Sequence, residues 1–339
     1  MRNMPGWLRE TSEDASRMRF AKTDRALYLR LMTETVALAR IMEYESQLLD
    51  AAVELLMDEA GFRPSRGERV LVKPNLVNST NAAVSCTHPL VVRAACRFLL
   101  DRGVRVTVAD SPAFGSAAQV AKASGLVEAL KALGLEVRGL AAAQKTTLPC
   151  GVEIGVSRHA LEAEAILNVP RLKAHCQMRV TGAVKNLFGC VSGARKALAH
   201  NRLGNRPDLF AAMVVDICEL VPHSVSLMDA VRPMHRNGPV KGEAYELGML
   251  GASASPHAVD AMVYEMLNLS PSQVPLWAEA LRRDLPGAQP GELRYPLERP
   301  QSFDVSGMVI PGKLEPVRFD PFRVFKGRIK SLKKRLCGD

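Results

Sequence analysis

Aromatic residues are scarce in this chain, with two Trp, five Tyr and ten Phe among 339 positions. Ala, Val, Leu and Met supply the apolar content instead, which suits helices packed on buried strands better than an antiparallel sandwich. No apolar run reaches the roughly 18 residues a spanning helix needs, and the first residues, MRNMPGWLRE, contain no apolar signal region. The expectation is a cytoplasmic protein, at most peripheral to a membrane. No CxxC pair occurs among Cys86, Cys96, Cys150, Cys176, Cys190, Cys218 and Cys337. Free thiols in a reducing compartment follow, with no ferredoxin-type cluster encoded. There is no GxxxxGKS/T loop, and no GxGxxG after any strand. The body also lacks a basic face interleaved with aromatics, so no nucleic-acid partner is expected.

The absence that says most is of one charge sign. From Ala165 to Pro207 there is no Asp or Glu, while Arg171, Lys173, His175, Arg179, Lys185, Arg195, Lys196 and His200 all fall inside. A solvated surface normally mixes both signs, so a long one-sided segment that also carries Gly, Asn and His reads as a site for an anion. The formal charge of +10 is less informative, because the last 19 residues hold +6 of it and the remainder only +4.

Apolar runs alternate with amphipathic ones along the chain. VALAR (Val36 to Arg40), VLVKPNL, VRVTVAD, AILNV, VSLMD and LGMLGAS read as strands, and VSGMVI as a further one. LEVRGL and VEIGVS are weaker and read as a paired excursion. Helices fit Glu45 to Ala60, Pro89 to Asp101 with Thr87 as cap, Ala117 to Leu133 interrupted near Gly125, Pro207 to Val221, and Ser255 to Leu267. This is the βαβ pattern of an α/β fold with a mostly parallel central sheet flanked by helices. The expected organisation is a loose arm over 1–22, the α/β domain over 23–270, an irregular wrapping segment over 271–320 and a basic amphipathic terminal helix over 321–339.

Right-handed crossovers bring the strand C-termini to one edge, where such sheets bind ligands. That edge collects Lys73, Asn75, Asp110, Lys173, His175 and Asp229. A lone Lys after a strand is usually solvated, but amines brought together destabilise each other unless an anion neutralises them. TGAVKN (Thr181 to Asn186) resembles a glycine turn opening a helix, where backbone N–H groups and a Lys meet phosphate or carboxylate. His88 at a helix start, and His175 and His200 among cations, are expected to be neutral near pH 7. The candidate catalytic residues are His88, His175 and Asp229, and the candidate substrate-binding residues are Lys73, Asn75, Lys173, Lys185, Asn186 and His200. Asp110, Asp229 and Asp260 could hold a divalent cation or pair with lysines, and Cys86, His88, His175, Cys176 and Cys190 offer only a weak zinc or iron–sulfur pattern. No metal site is assigned.

KPNLV (Lys73 to Val77), THP (Thr87 to Pro89), the VxVAD-SP segment ending at Pro112, NVPRLKAH (Asn168 to His175), TGAVKNLFG (Thr181 to Gly189), the LMDAV and NGPVKG pair (Leu227 to Gly242) and SPHAVD (Ser255 to Asp260) resemble the domain-of-unknown-function 362 family over roughly Val36 to Leu269. Many members carry a ferredoxin-like segment with two CxxCxxCxxxC runs, and the resemblance therefore implies an iron–sulfur association. This chain departs from that, since its only cysteine after Cys218 is Cys337. The reading is an enzyme that binds an anionic small molecule, its cofactor unknown. The alternative is a redox accessory that docks a separate ferredoxin or an anionic membrane surface through 321–339.

Overall fold

In the computed structural model, which describes residues 33–193 and 195–317, the short apolar runs become strands and the amphipathic runs between them become helices. In chain order the strands are β1 (Glu34–Thr35), β2 (Ala37–Arg40), β3 (Arg69–Pro74), β4 (Arg105–Asp110), β5 (Val137–Gly139), β6 (Ala143–Thr147), β7 (Glu153–Ser157), β8 (Ala165–Val169), β9 (Arg171–His175), β10 (Arg179–Thr181), β11 (Ser224–His235), β12 (Glu243–Ala244), β13 (Met249–Ser253) and β14 (Leu293–Arg294). The fold is α/β. Strands β3, β4, β5, β8 and β11 pair in parallel, and β13 and β2 extend the sheet antiparallel beyond β11.

The helix Ser46–Glu59 buries Leu49, Ala52, Val53, Leu56 and Met57, the stripe its 3.6-residue period implies, whereas Leu48 points away and is 50% exposed. Truncating a core residue such as Leu56 to Ala costs about 2–5 kcal/mol. The helix Pro89–Asp101 starts with Pro at its first turn, but its cap is His88 and not Thr87. His88 Nδ1 accepts from Leu90 N–H at 3.3 Å, while Thr87 Oγ1 accepts from Asn75 N–H at 2.8 Å and donates to the Val169 carbonyl oxygen at 2.6 Å. Thr87 therefore ties the ends of β3 and β8 together.

From β3 the chain builds outward to β4 and β5, then crosses back to add β8 on the other side. The order reverses between β3 and β8. That is the topological switch point, whose carboxyl-end crevice is the usual ligand position in open α/β sheets. Pro170 follows at the end of β8, and β9 beyond it leaves β3, stays on β11 and gains β10 on its free edge.

Several expectations need correction. LEVRGL and VEIGVS do not pair with each other: β5 lies at the edge of the main sheet, and β7 pairs with β6, whose sequence AQKTT has no apolar alternation to reveal it. VSLMD lies near the start of the 12-residue β11, which runs on through Pro233. VSGMVI is not a strand, although Arg236 N–H donates to the Val309 carbonyl oxygen at 2.7 Å. The region after 270 contains the helix Pro275–Arg282, which packs on the helix Pro207–Leu220. The basic segment 321–339 and the arm 1–22 lie outside the described residues.

Candidate functional site

Beyond Pro74 and Val169 the carboxyl ends of β3 and β8 part, and a cavity of about 320 Å³ opens there. Lys73, near the end of β3, is fully buried, with its ammonium 2.7 Å from Asp110 Oδ1 and 3.2 Å from the Pro74 carbonyl oxygen. Asp110 ends β4 and accepts with Oδ2 from Leu76 N–H at 2.7 Å. Lys173, on β9, donates to Asn75 Oδ1 and, at 2.8 Å, to the Ser85 carbonyl oxygen. Asn75 Nδ2 donates to Asn186 Oδ1 at 2.9 Å, and Asn186 Nδ2 donates to Asn168 Oδ1 at 2.8 Å. Asn168 continues into the sheet, donating to Ser226 Oγ at 3.0 Å and to the Ala183 carbonyl oxygen at 3.1 Å. Such a satisfied amide chain holds each member in one orientation.

Two further lysines close the ring. Lys196, on the helix Arg195–Leu203, donates to the Ser111 carbonyl oxygen. Lys185 differs from the other three: its Nζ stands 4.3 Å from the Phe188 ring centroid and 5.7 Å from that of Phe210, and among the described residues no hydrogen bond or ion pair satisfies it. A ring face offers an ammonium roughly 0.5–2 kcal/mol, which does not replace a counter-ion. Lys73, Lys173, Lys185, Lys196 and Arg171 thus line a cavity whose only lining carboxylate among the described residues is Asp110. Burial, reinforced by repulsion from Lys196, Lys173 and Lys73, pulls the Lys185 amine down to about 7. Lys173 falls to about 7, chiefly through burial, and Lys196 to about 8 for the same first reason. Leu76, Val77, Phe114, Phe188 and Val240 give the rest of the wall an apolar character.

Both histidines of the cavity are held neutral, pushed well below the ordinary imidazole range by burial and then by the charge of Lys185. His175 Nδ1 accepts from the N–H groups of Gln177 and Met178, at 3.1 and 3.3 Å. The ring proton therefore sits on Nε2, which makes His175 a donor toward an oxygen and not a proton acceptor. His200 pairs through Nδ1 with Gln177 Oε1 at 2.8 Å; donation from that nitrogen leaves Nε2 as its basic position.

Lys73, Asn75, Lys173, His175, Lys185, Asn186 and His200 are brought together; His88 and Asp229 are not among the lining residues. Asp229 is buried on β11, accepting from His88 N–H and from the Tyr44 hydroxyl at 2.9 Å each, with the Arg171 guanidinium 3.8 Å away. The His88 ring stacks on Tyr44 with centroids 3.5 Å apart, and burial lowers its pKa to about 4. These contacts fasten β11 to the start of the helix Pro89–Asp101. The anion-binding expectation for the TGAVKN backbone fails, because Asp260 occupies it: Ala183 N–H and Val184 N–H donate to its carboxylate at 2.6 and 3.1 Å. A Cβ at Gly182 would collide with that carboxylate and with Met228. Arg171 and Lys196 were visible as cations in the acid-free window, but nothing in their spacing distinguished them from surface charge. Asp110, Asp229 and Asp260 each have separate partners, so they form no common cation site. Nor do Cys86, His88, His175, Cys176 and Cys190 converge on one; among the described residues the group with metal-ligand proximity is Cys218, Glu219 and His257.

A second depression, about 590 Å³, lies between the β6–β7 hairpin and the helix Arg195–Leu203. Its charges are exposed and of both signs, as in the Lys145–Glu153 pair at 2.8 Å. It lacks the buried one-sided charge of the first cavity.

Among known proteins, the chain is 33% identical over 308 residues to a thylakoid-associated protein of Synechocystis sp., covering 88% of this chain and 94% of the relative. Among solved structures it is similar to the lactate racemase apoprotein from Thermoanaerobacterium thermosaccharolyticum, at a TM-score of 0.40 and 14% identity, over 67% of this chain and 55% of that one. A protein from Thermotoga maritima follows at a TM-score of 0.35 and 15% identity, over 61% of this chain and 56% of that one. The domain of unknown function DUF362 matches residues 70–265, the span that runs from β3 through the switch point to the helix carrying Asp260. With that match and the full-length relative, the chain belongs to the DUF362 family.

Proposed function

We propose that the switch-point cavity binds a small anion bearing phosphate or carboxylate, and that the protein is an enzyme acting on it. The observation that carries this reading is the imbalance of charge, the buried Lys73, Arg171, Lys173 and Lys196 and the half-buried Lys185 around Asp110, the single lining carboxylate among the described residues. Cations confined together out of water raise each other's energy, and a bound anion relieves that repulsion in proportion to its charge. Lys173, Lys185 and Lys196 supply the attraction, Asn75 and Asn186 fix the orientation, and the Nε2–H of His175 donates to an oxygen of the ligand. His200 is the candidate proton acceptor, its basicity lowered by burial first and then by the charge of Lys185. Titration calorimetry with inorganic phosphate and with oxalate tests the binding. Saturable binding in the wild type that is lost in a folded Lys173→Ala variant is expected, and heats that are null for both anions refute the reading.

The name of the Synechocystis relative favours a second role alongside the first. No described helix is long and apolar enough to cross a membrane, so association of this chain would be peripheral. Phe322, Phe325, Ile329, Leu332 and Leu336 recur at helical spacing among seven basic residues in 321–339. That pattern suits an anionic lipid surface, and an acidic ferredoxin is the other partner of matching charge.

A further inference from the structure

The three lysines other than Lys185 each have an oxygen acceptor: Lys73 has Asp110, Lys173 has Asn75 and Ser85, and Lys196 has Ser111. Lys185 has none among the described residues, and its nitrogen stands against the rings of Phe188 and Phe210 at the wall of the cavity. From this arrangement we propose that Lys185 is a nucleophilic amine that condenses with the carbonyl group of a small carboxylate-bearing aldehyde or ketone, a 2-oxo acid being the simplest. This rests on the anion-binding reading and narrows its substrate class.

The division of labour follows from the contacts. Lys196 and Arg171 hold the carboxylate, and their positive charge, with that of Lys73, discourages a further proton-bearing cation in the same cavity. Low amine basicity in this surrounding is a consequence, with Lys185 brought to about 7 by burial and by its three lysine neighbours. A neutral amine then stands beside a pre-positioned carbonyl carbon. The nitrogen lone pair attacks that carbon, a C–N bond forms, and the carbonyl oxygen takes up the two amine hydrogens and leaves as water. The product is an imine, with no oxidant, reductant or second substrate required. The Nε2–H of His175 is the donor available to polarise the carbonyl oxygen. Once formed, the imine draws electrons from the adjacent carbon, so in a 2-oxo acid the bond it weakens is that of that carbon to hydrogen.

Pyruvate with sodium borohydride is the probe, read by intact mass and peptide mapping of the full-length protein. The expected result is a single adduct equal to pyruvic acid less one oxygen, mapped to the peptide carrying Lys185, absent without pyruvate and suppressed at least tenfold by oxalate. Lys185→Arg keeps a cation at that wall but cannot form an imine; it is expected to lose the adduct while its circular dichroism matches that of the wild type. Oxalate binding with no adduct, or an adduct spread over exposed lysines and indifferent to oxalate, overturns the nucleophile assignment while leaving the anion site standing. Absence of both oxalate binding and adduct overturns the anion reading itself.

Discussion

Asp110→Ala isolates the one carboxylate that the described residues bring to the cavity. Its Oδ1 lies 2.7 Å from the Lys73 ammonium, with the two side chains 0% and 2% exposed, and its Oδ2 accepts from Leu76 N–H at 2.7 Å. Deleting one partner of a buried ion pair costs about 3–5 kcal/mol, because the other charge stays behind without compensation. Leaving the buried Leu76 N–H without its acceptor adds about 1–3 kcal/mol. The Pro74 carbonyl at 3.2 Å and Asn186 Oδ1 at 3.5 Å still reach Lys73 and offset part of this. The expected loss is therefore roughly 4–6 kcal/mol, a large share of the roughly 5–15 kcal/mol typical of a domain. Urea unfolding monitored by circular dichroism measures it, at an unchanged m-value. Asp110→Ala combined with Lys73→Met should be more stable than Asp110→Ala alone, since no charge is then left buried. Phosphate should also restore part of the midpoint in the single variant by standing in for the missing carboxylate. A loss below about 1 kcal/mol, or a double variant less stable than the single, would refute the picture of a structural ion pair inside a cationic cavity.

Four other outcomes are expected. Oxalate affinity should fall as pH rises from 6 to 9, because Lys173 and Lys185 lose their protons near 7, by about tenfold per pH unit above 7 for each lysine that must be charged. The ligand-free protein should do the reverse: the unfolded chain binds more protons than the folded one from about pH 7 to about 10.5, so thermal stability attributable to these lysines rises over that window, and a falling melting temperature with no competing transition would contradict the lysine shifts. Asp260→Ala should cost about 2–4 kcal/mol in urea unfolding, through the N–H groups of Ala183 and Val184 that lose their acceptor. Removing residues 321–339 should abolish sedimentation with vesicles containing phosphatidylglycerol at low salt while leaving oxalate binding intact, and unchanged sedimentation would exclude the tail as the docking element.

Much of the site was legible because the sequence placed polar groups at the ends of apolar runs. KPN after VLV signals a buried strand that ends at a cleft, as β3 does, whereas KAH lies within the next strand, β9, and not at the mouth of β8. The parallel core was legible for the same reason, since β3, β4 and β8 are compact and apolar. Long-range partners were not legible. Asp260 lies 77 residues from Ala183, and no local pattern says that its carboxylate caps that helix. His88 and Asp229 carried the right chemistry for a site, but a hydrogen bond between positions 141 residues apart draws them into a structural cluster with Tyr44. Lys196 sits on a helix whose charged sequence reads as solvated, and only the fold turns that residue inward. VSGMVI had a strand-like composition but no partner strand in the sheet, which hydrophobicity cannot report.

A Cβ at Gly189 would collide with both Lys73 Nζ and Asp110 Oδ1. The glycine is therefore the empty space into which the buried ion pair fits, though it touches the pair with no side chain of its own. Inheritance of the three positions should be linked. A descendant sequence that replaces Gly189 must first surrender the lysine–aspartate pair, and one that has lost the pair is free to fill the space. Among relatives, position 189 is then expected to drift only where positions 73 and 110 have already changed, so an alignment read for the order of those changes would show which lineages have abandoned the floor of the cavity.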